Sequence, residues 1–253
     1  MDLPKNHFKA ALAAGRKQIG MWCSFPNSGY AEMMATCGYD WMLIDCEHAP
    51  IDLATVQSML QAVAPYHTHP IVRPGWNDPV EIKRLLDIGA QTLLIPYVEN
   101  AQEAARAVAA TRYAPQGVRG VAGLARSSRY GSVANYIPRA HEEICVLVQV
   151  ESIQAVDQIE AMAAVEGVDG IFVGPADLSA SMGHPGNLAH PDVRAAVIEA
   201  IRRIRAAGKP AGIVTADALL PEAIEAGANF PSVGIDTMVL LNGLRDLRKR
   251  FPS

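Results

Sequence analysis

Lysine is scarce in this chain, with only Lys5, Lys9, Lys17, Lys83, Lys209 and Lys249 among 253 residues. None closes an apolar β-type run, and Lys209 precedes one. Imine chemistry through a buried amine nucleophile therefore lacks its residue. No G-x-S-x-G elbow supports Ser-His-Asp hydrolysis, and no G-x-G-x-x-G follows a strand to cradle a dinucleotide. Cys23, Cys37, Cys46 and Cys145 share no C-x-x-C spacing, and zinc-type His/Cys spacing is absent. Small buried thiols in a reducing compartment are the expectation. No stretch approaches 18 apolar residues, and the start Met-Asp-Leu-Pro-Lys-Asn-His lacks the apolar core of a signal peptide. A cytoplasmic protein with no membrane partner is expected. The net charge of −4, from 22 basic and 26 acidic side chains without a basic run, gives nucleic-acid binding no electrostatic support.

What the chain does have is length and an alternating pattern. It is half apolar, enough to bury a full core, and α/β barrels commonly run to this size as one domain. Short β-branched runs near 19–23, 41–45, 70–73, 92–96, 145–151, 170–174, 210–214 and 231–235 alternate with longer, Ala-rich periodic stretches. Those stretches predict helices near 29–37, 52–63, 78–88, 100–112, 153–164, 190–207, 217–226 and 237–250. Gly89, Gly167, Gly208 and Gly227 each sit one step past a helix, and Asp52 suits an N-cap. Eight strands each followed by a helix predict a closed (β/α)₈ barrel, residues 1–253 as one domain. The segment 113–140, rich in Gly, Ser and Arg, is too long for an ordinary connection. It is expected to cover a site on the catalytic side, where Arg119, Arg126 and Arg129 would suit carboxylate-bearing ligands.

The chemistry collects where apolar runs end in polar residues. Glu151 follows Cys-Val-Leu-Val-Gln-Val, and Asp177 follows Gly-Ile-Phe-Val-Gly-Pro-Ala. Burying either carboxylate alone costs several kcal/mol. Two carboxylates at one barrel mouth could hold a hard divalent cation and leave positions for water and a bidentate ligand; two helix N-caps would account for them equally well. His48 stands three residues after Asp45 beyond the run Trp-Met-Leu-Ile, where a carboxylate could orient the ring for proton transfer. Arg73 ends Pro-Ile-Val and needs an anionic partner, either a structural acid such as Asp45 or Glu47 or a developing enolate oxygen. Gln149 alternates with Glu151 and shares its face. The other histidines, His184 included, are expected to be structural or exposed.

With these residues in place, the chain resembles the metal-dependent (class II) pyruvate aldolases, which include 4-hydroxy-2-oxoheptanedioate aldolase and 2-dehydro-3-deoxyglucarate aldolase. The resemblance covers nearly the whole length. It is carried by Trp-Met-Leu-Ile-Asp-Cys-Glu-His-Ala-Pro (41–50), Val-Arg-Pro (72–74), Lys-Arg-Leu-Leu-Asp-Ile-Gly-Ala-Gln-Thr-Leu-Leu-Ile-Pro (83–96), Gly-Val-Arg-Gly (117–120), Val-Gln-Val-Glu (148–151) and Val-Gly-Pro-Ala-Asp-Leu-Ser (173–179). It implies a barrel of the phosphoenolpyruvate/pyruvate type, with a C-terminal helix swapped between subunits of a homohexamer. It also implies Glu151 and Asp177 as ligands of Mg²⁺, Mn²⁺, Co²⁺ or Zn²⁺. Substrate contacts would come from Arg73, Gln149, Gly174, Pro175, Ala176, Asp177 and Val214. Catalysis would fall to Arg73, an Asp45–His48 dyad and, reaching a neighbouring subunit, Asp87. The implied reaction interconverts a 4-hydroxy-2-oxo acid with pyruvate plus an aldehyde through a metal-stabilised enolate. A metal-dependent lyase or decarboxylase acting on another 2-oxo acid or an acyl-CoA, and a carboxylate-binding barrel without catalysis, stay open as alternatives. Pro231 departs from the pattern at strand eight.

Overall fold

The computed structural model describes residues 1–215 and 219–251. After helix α1 (His7–Ala13), eight parallel strands alternate with helices: β1 (Gly20–Cys23), α2 (Ser28–Ala35), β2 (Trp41–Asp45), α3 (Leu53–Val63), β3 (His69–Arg73), α4 (Pro79–Asp87), β4 (Thr92–Ile95), α5 (Ala101–Thr111). The short helix α6 (Tyr136–Arg139) precedes β5 (Cys145–Val150), α7 (Ile153–Asp157), α8 (Ile159–Ala163), β6 (Gly170–Val173) and α9 (Pro175–Ser181). The chain continues through α10 (Pro191–Ala206), β7 (Ala211–Val214), α11 (Leu219–Glu225), β8 (Phe230–Ile235) and α12 (Asp236–Lys249). Each strand pairs with the next and β8 returns to β1, so the sheet closes as the sequence predicts. Pro231 is in register with Ile213, and the β1–β8 register shifts between Gly20 and Trp22.

Strand alternation separates two apolar layers. Met42 and Ile44 of β2, and Val146, Val148 and Val150 of β5, face outward against the helices. Trp22, Trp41, Leu43, Ile71, Leu94, Leu147, Phe172 and Phe230 fill the lumen. Aromatic rings fit there because two strands carry glycine. A Cβ on Gly20 would lie 2.0 Å from the Trp41 ring, and one on Gly212 would lie 2.3 Å from Phe172 and 2.4 Å from Phe230. Helix α1, which the periodicity does not reveal, closes the amino-terminal end of the lumen: Phe8 stacks on His69 and meets Trp41 and Phe230 edge-on. Its N-cap Asn6 is buried and donates to Thr92, Gln91 and Glu143.

Three expectations change. The helix expected over 153–164 is broken at Gln158, which adopts φ −103° and ψ 8° so that α7 and α8 bury separate residues. Residues 175–181 form a helix whose N-cap is Gly174 and whose first residue is Pro175, so Asp177 lies in its first turn and is not the cap. The segment 113–140 follows α5 and precedes β5, so it lies at the amino-terminal end of its own barrel. It therefore does not cover this chain's own strand-end carboxylates. The start of the helix expected at 217–226 lies outside the described residues. No helix among the described residues is long and apolar enough to cross a membrane.

Gly212→Ala is expected to lower the urea midpoint by an amount equivalent to about 1–3 kcal/mol, because the new methyl must displace two packed rings. An unchanged midpoint would show that the lumen has slack at that level.

Candidate active site

At the carboxyl ends of the strands the lumen changes from apolar to charged. Continuing the inward alternation of Leu43 on β2 and Ile71 on β3 places Asp45 and Arg73 side by side, and their strands pair in that register. The Arg73 guanidinium forks onto Asp45, with Nε donating to Oδ1 at 2.9 Å and Nη2 to Oδ2 at 2.7 Å. Its Nη1 lies 2.6 Å from Glu47 Oε2. Trp22 supports this pair from below: its Nε1 donates to Asp45 Oδ2 at 3.1 Å, and the guanidinium lies 4.7 Å from the ring centroid. Burial opposes ionisation of Asp45, but the two-pronged contact with Arg73 outweighs it and holds the carboxyl below the usual range. Removing one partner of such a buried pair costs about 3–5 kcal/mol.

Across the mouth, Glu151 is 2 % exposed just past β5. Its Oε1 accepts from the Tyr97 backbone N–H at 2.7 Å, and its Oε2 accepts from Gln149 Nε2 at 2.9 Å. Tyr97 holds that N–H in place from a left-handed conformation, φ 53°, that costs a bulky residue on the order of 1–3 kcal/mol. Gly174 closes the third side, since a Cβ there would lie 2.8 Å from both Gln149 Nε2 and Glu151 Oε2. Burial, the main cause, together with the negative charges of Glu47 and Asp177, pushes the Glu151 carboxyl up to about 7, against the pull of the Tyr97 N–H. Glu47 is raised as well, by burial and by the charges of Asp45 and Asp177, despite Arg73.

The negative charges of Glu47 and Asp177 thus make ionising Glu151 costlier, and Gln149 Oε1 is buried without a hydrogen-bond donor. Crowded carboxylates beside an unpaired amide oxygen fit a hard divalent cation, which takes oxygen ligands. Glu151 and Asp177 carry carboxylates that could hold it. A separate cluster, His184, His190 and Asp192, gathers three ligand-type atoms within 4.8 Å on the α9–α10 connection. There the two rings stack at 3.6 Å and His190 Nδ1 accepts from the Asp192 N–H as the cap of α10.

The remaining expected residues divide. Gln149, Gly174 and Pro175 are buried at the mouth, Asp177 is half-buried and Ala176 exposed on the first turn of α9, and Val214 packs on the upper lumen from the end of β7. The expected Asp45–His48 dyad does not form. Arg73 and Trp22 occupy the Asp45 oxygens, His48 reaches Asp45 only through its backbone N–H, at 3.4 Å, and its ring is 65 % exposed with Nε2 3.7 Å from Glu47. Asp87 ends α4 at the opposite end of its own barrel, paired with Arg119 at 2.7 Å. Trp22, Tyr97 and Glu47 as an acid of this mouth were not singled out from sequence. Inward alternation along β1 marks Trp22, whereas nothing in the sequence marks the Tyr97 amide. Asp236, buried at the start of α12, accepts from the Ser24 and Phe25 N–H groups and fixes the loop after β1.

Residues 18–243 match the HpcH/HpaI aldolase/citrate lyase pattern. The chain belongs to this family. It is 56 % identical over 241 residues, 95 % of both chains, to a hydroxypyruvate/pyruvate aldolase of Sagittula stellata. It is 55 % identical over 249 residues, 98 % of this chain and 95 % of the relative, to a 4-hydroxy-2-oxo-heptane-1,7-dioate aldolase of Salmonella heidelberg. A solved HpcH/HpaI aldolase/citrate lyase family protein from Burkholderia cenocepacia superposes with a TM-score of 0.94 at 40 % identity, covering 98 % of this chain and all of that one. The chain is accordingly a lyase of the aldolase type.

A carboxyl raised from 4.5 to about 7 binds its proton more tightly in the folded state. Its contribution is full below the unfolded value and is lost as pH rises through about 7. Chelator-treated wild type should therefore lose stability between pH 5 and 8 relative to Glu151→Gln, by up to about 3 kcal/mol. Parallel urea midpoints across that range would show that Glu151 is not the titrating group.

Proposed function

We propose that this chain is a divalent-metal-dependent aldolase that cleaves or forms 4-hydroxy-2-oxo acids, with pyruvate and an aldehyde as the other partners. The observation that carries this reading is Glu151: a carboxylate 2 % exposed, crowded by Glu47 and Asp177, facing the Arg73–Asp45 pair across the barrel mouth. A divalent ion held by Glu151 and Asp177 would supply a Lewis acid for the carboxylate and keto oxygens of the 2-oxo acid.

The chain's own residues account for the rest. Cleavage removes the proton of the C4 hydroxyl, breaks the C3–C4 bond and sends its electrons to the C2 carbonyl oxygen. The product enolate is then protonated at C3 to give pyruvate. Arg73 suits the oxygen end, because its fork is locked on Asp45 and its charge needs no reorganisation as the oxyanion develops. Asp45 and Trp22 are positioning residues for that guanidinium. The first-turn amides of α9, at Ala176 and Asp177, suit the substrate carboxylate. His48, held toward Glu47 at the rim, is assigned to the proton of the C4 oxygen. Val214 and the loop fixed by Asp236 face the aldehyde half.

The proposal extends to assembly. Helix α12 buries only Asp236, while Met238, Val239, Leu240, Leu241, Leu244 and Leu247 are 44–60 % exposed. An apolar surface of that kind suits cover by a neighbouring subunit, in keeping with a swapped helix and a homohexamer. Asp87 and Arg119 would then face a neighbour's mouth. Free cysteines, two of them buried, suit a reducing cytoplasm.

Pyruvate release from a panel of 4-hydroxy-2-oxo acids, with the aldehyde product identified, tests the reading. Turnover should be silenced reversibly by a chelator, and Glu151→Gln or Asp177→Asn should abolish it at saturating Mg²⁺ or Mn²⁺ with the circular dichroism unchanged. Chelator-resistant turnover, or wild-type rates in both variants, would reject the metal assignment. His48→Ala should slow cleavage by roughly 10²–10⁴-fold. Deuterium entry into the pyruvate methyl group, followed by NMR, shows whether the same residue serves the pyruvate half; wild-type rates in both assays would remove His48 from the machinery.

A further inference from the structure

The amino-terminal end of the barrel carries a cavity of about 720 Å³ between the chain's first residues, the starts of β3 and β4, and the 113–140 segment. That volume lies within the range of small-molecule sites. His69 and Arg73 stand at opposite ends of β3, so the cavity floor and the strand-end carboxylates are separated by roughly 13 Å of strand.

Its lining is cationic. Arg126, Arg129 and Lys5 face it with one acid, Glu143, which is already engaged by Lys5 Nζ at 2.7 Å and the Asn6 N–H at 2.8 Å. Arg126 is anchored by Nη1 on the Ile88 carbonyl at 2.8 Å, beside Gly89, where a Cβ would lie 2.4 Å from that nitrogen. The guanidinium is thus seated where only glycine leaves room, with its other nitrogens free for a ligand. Among the described residues neither Arg126 nor Arg129 meets a carboxylate. Ser127, between them, is 9 % exposed and its Oγ has no hydrogen-bond partner, a cost of about 1–3 kcal/mol unless a ligand or water supplies one. Arg129 and Tyr130 both adopt left-handed backbone, φ 50° and 55°, so strain is held in the segment that presents the cation. Half-burial without an acid also holds Arg126 below the ordinary arginine range, although a guanidinium keeps its proton.

We propose that this cavity is a second ligand site, for a small dianion such as a phosphate monoester or a dicarboxylate, gripped by Arg126 and Arg129 with Ser127 Oγ as a further donor. The site is separate from the mouth proposed for catalysis, and it stands whether or not that reading holds.

The test is isothermal titration of the full chain with inorganic phosphate and, separately, with succinate, each with and without pyruvate plus Mg²⁺. Saturable binding of one probe per chain, indifferent to pyruvate, is expected. Preference for phosphate assigns a phosphate monoester, and preference for succinate assigns a dicarboxylate. Arg126→Gln and Arg129→Gln should each weaken binding about tenfold or more, and Ser127→Ala by a smaller factor. Should Arg126→Gln unfold through loss of its Ile88 contact, Arg129→Gln decides, because that exposed side chain has no hydrogen bond among the described residues. No saturable binding of either probe, affinity unchanged in Arg129→Gln, or competition with pyruvate would overturn the proposal.

Discussion

The bidentate contact between Arg73 and Asp45 organises the catalytic end of this barrel. Both groups are nearly inaccessible to water, at 4 % and 2 %, so neither is tolerable alone. The pairing is possible because β2 and β3 align in register and both residues fall on the inward phase. Trp22, one strand further round, supplies a ring face and an N–H to the same pair. Once the guanidinium is clamped, Glu47 is drawn in by its remaining nitrogen, and the loop carrying His48 is set by the Glu47 and His48 N–H groups on Asp45. A fixed cation at the mouth is therefore a consequence of strand register.

The opposite wall works by the reverse principle. Glu151 has neutral partners, Gln149 and the Tyr97 amide, and its charged neighbours Glu47 and Asp177 repel it. A fold that crowds acids in a dry pocket gives up stability that a bound cation would return, which would couple ion binding to folding there. Left-handed backbone at Tyr97 and the missing side chain at Gly174 both serve to keep that carboxylate where it is.

Chain direction divides the labour between the two ends. Segments that follow strands carry the strand-end acids, whereas 113–140 follows α5 and packs with α1 and the chain's first residues at the other end. Arginines in that segment pair with Asp87 or Glu142, cap α4 or face the cavity, and none adds to its own chain's mouth.

Much of this was legible in sequence. The β/α alternation dictates a closed parallel barrel, because eight two-sided apolar strands can bury both faces only against each other's lumen and an outer ring of helices. Gly89, Gly167, Gly208 and Gly227 end their helices with positive φ as their spacing implies, and Asp45, Arg73, Gln149 and Glu151 emerge from strand ends as polar residues that must share one mouth. Partnership was not legible. Which acid takes Arg73, and so whether His48 has a dyad, depends on side-chain reach across neighbouring strands. The Tyr97 amide carries no sequence signal because every residue but proline has one. Helix α1 and the break at Gln158 answer to packing, since neither a seven-residue helix nor a glutamine states its tertiary neighbours. Which end of the barrel a long connection decorates was in the order of the elements all along, but what it encloses there was decided only by closure of the barrel around α1.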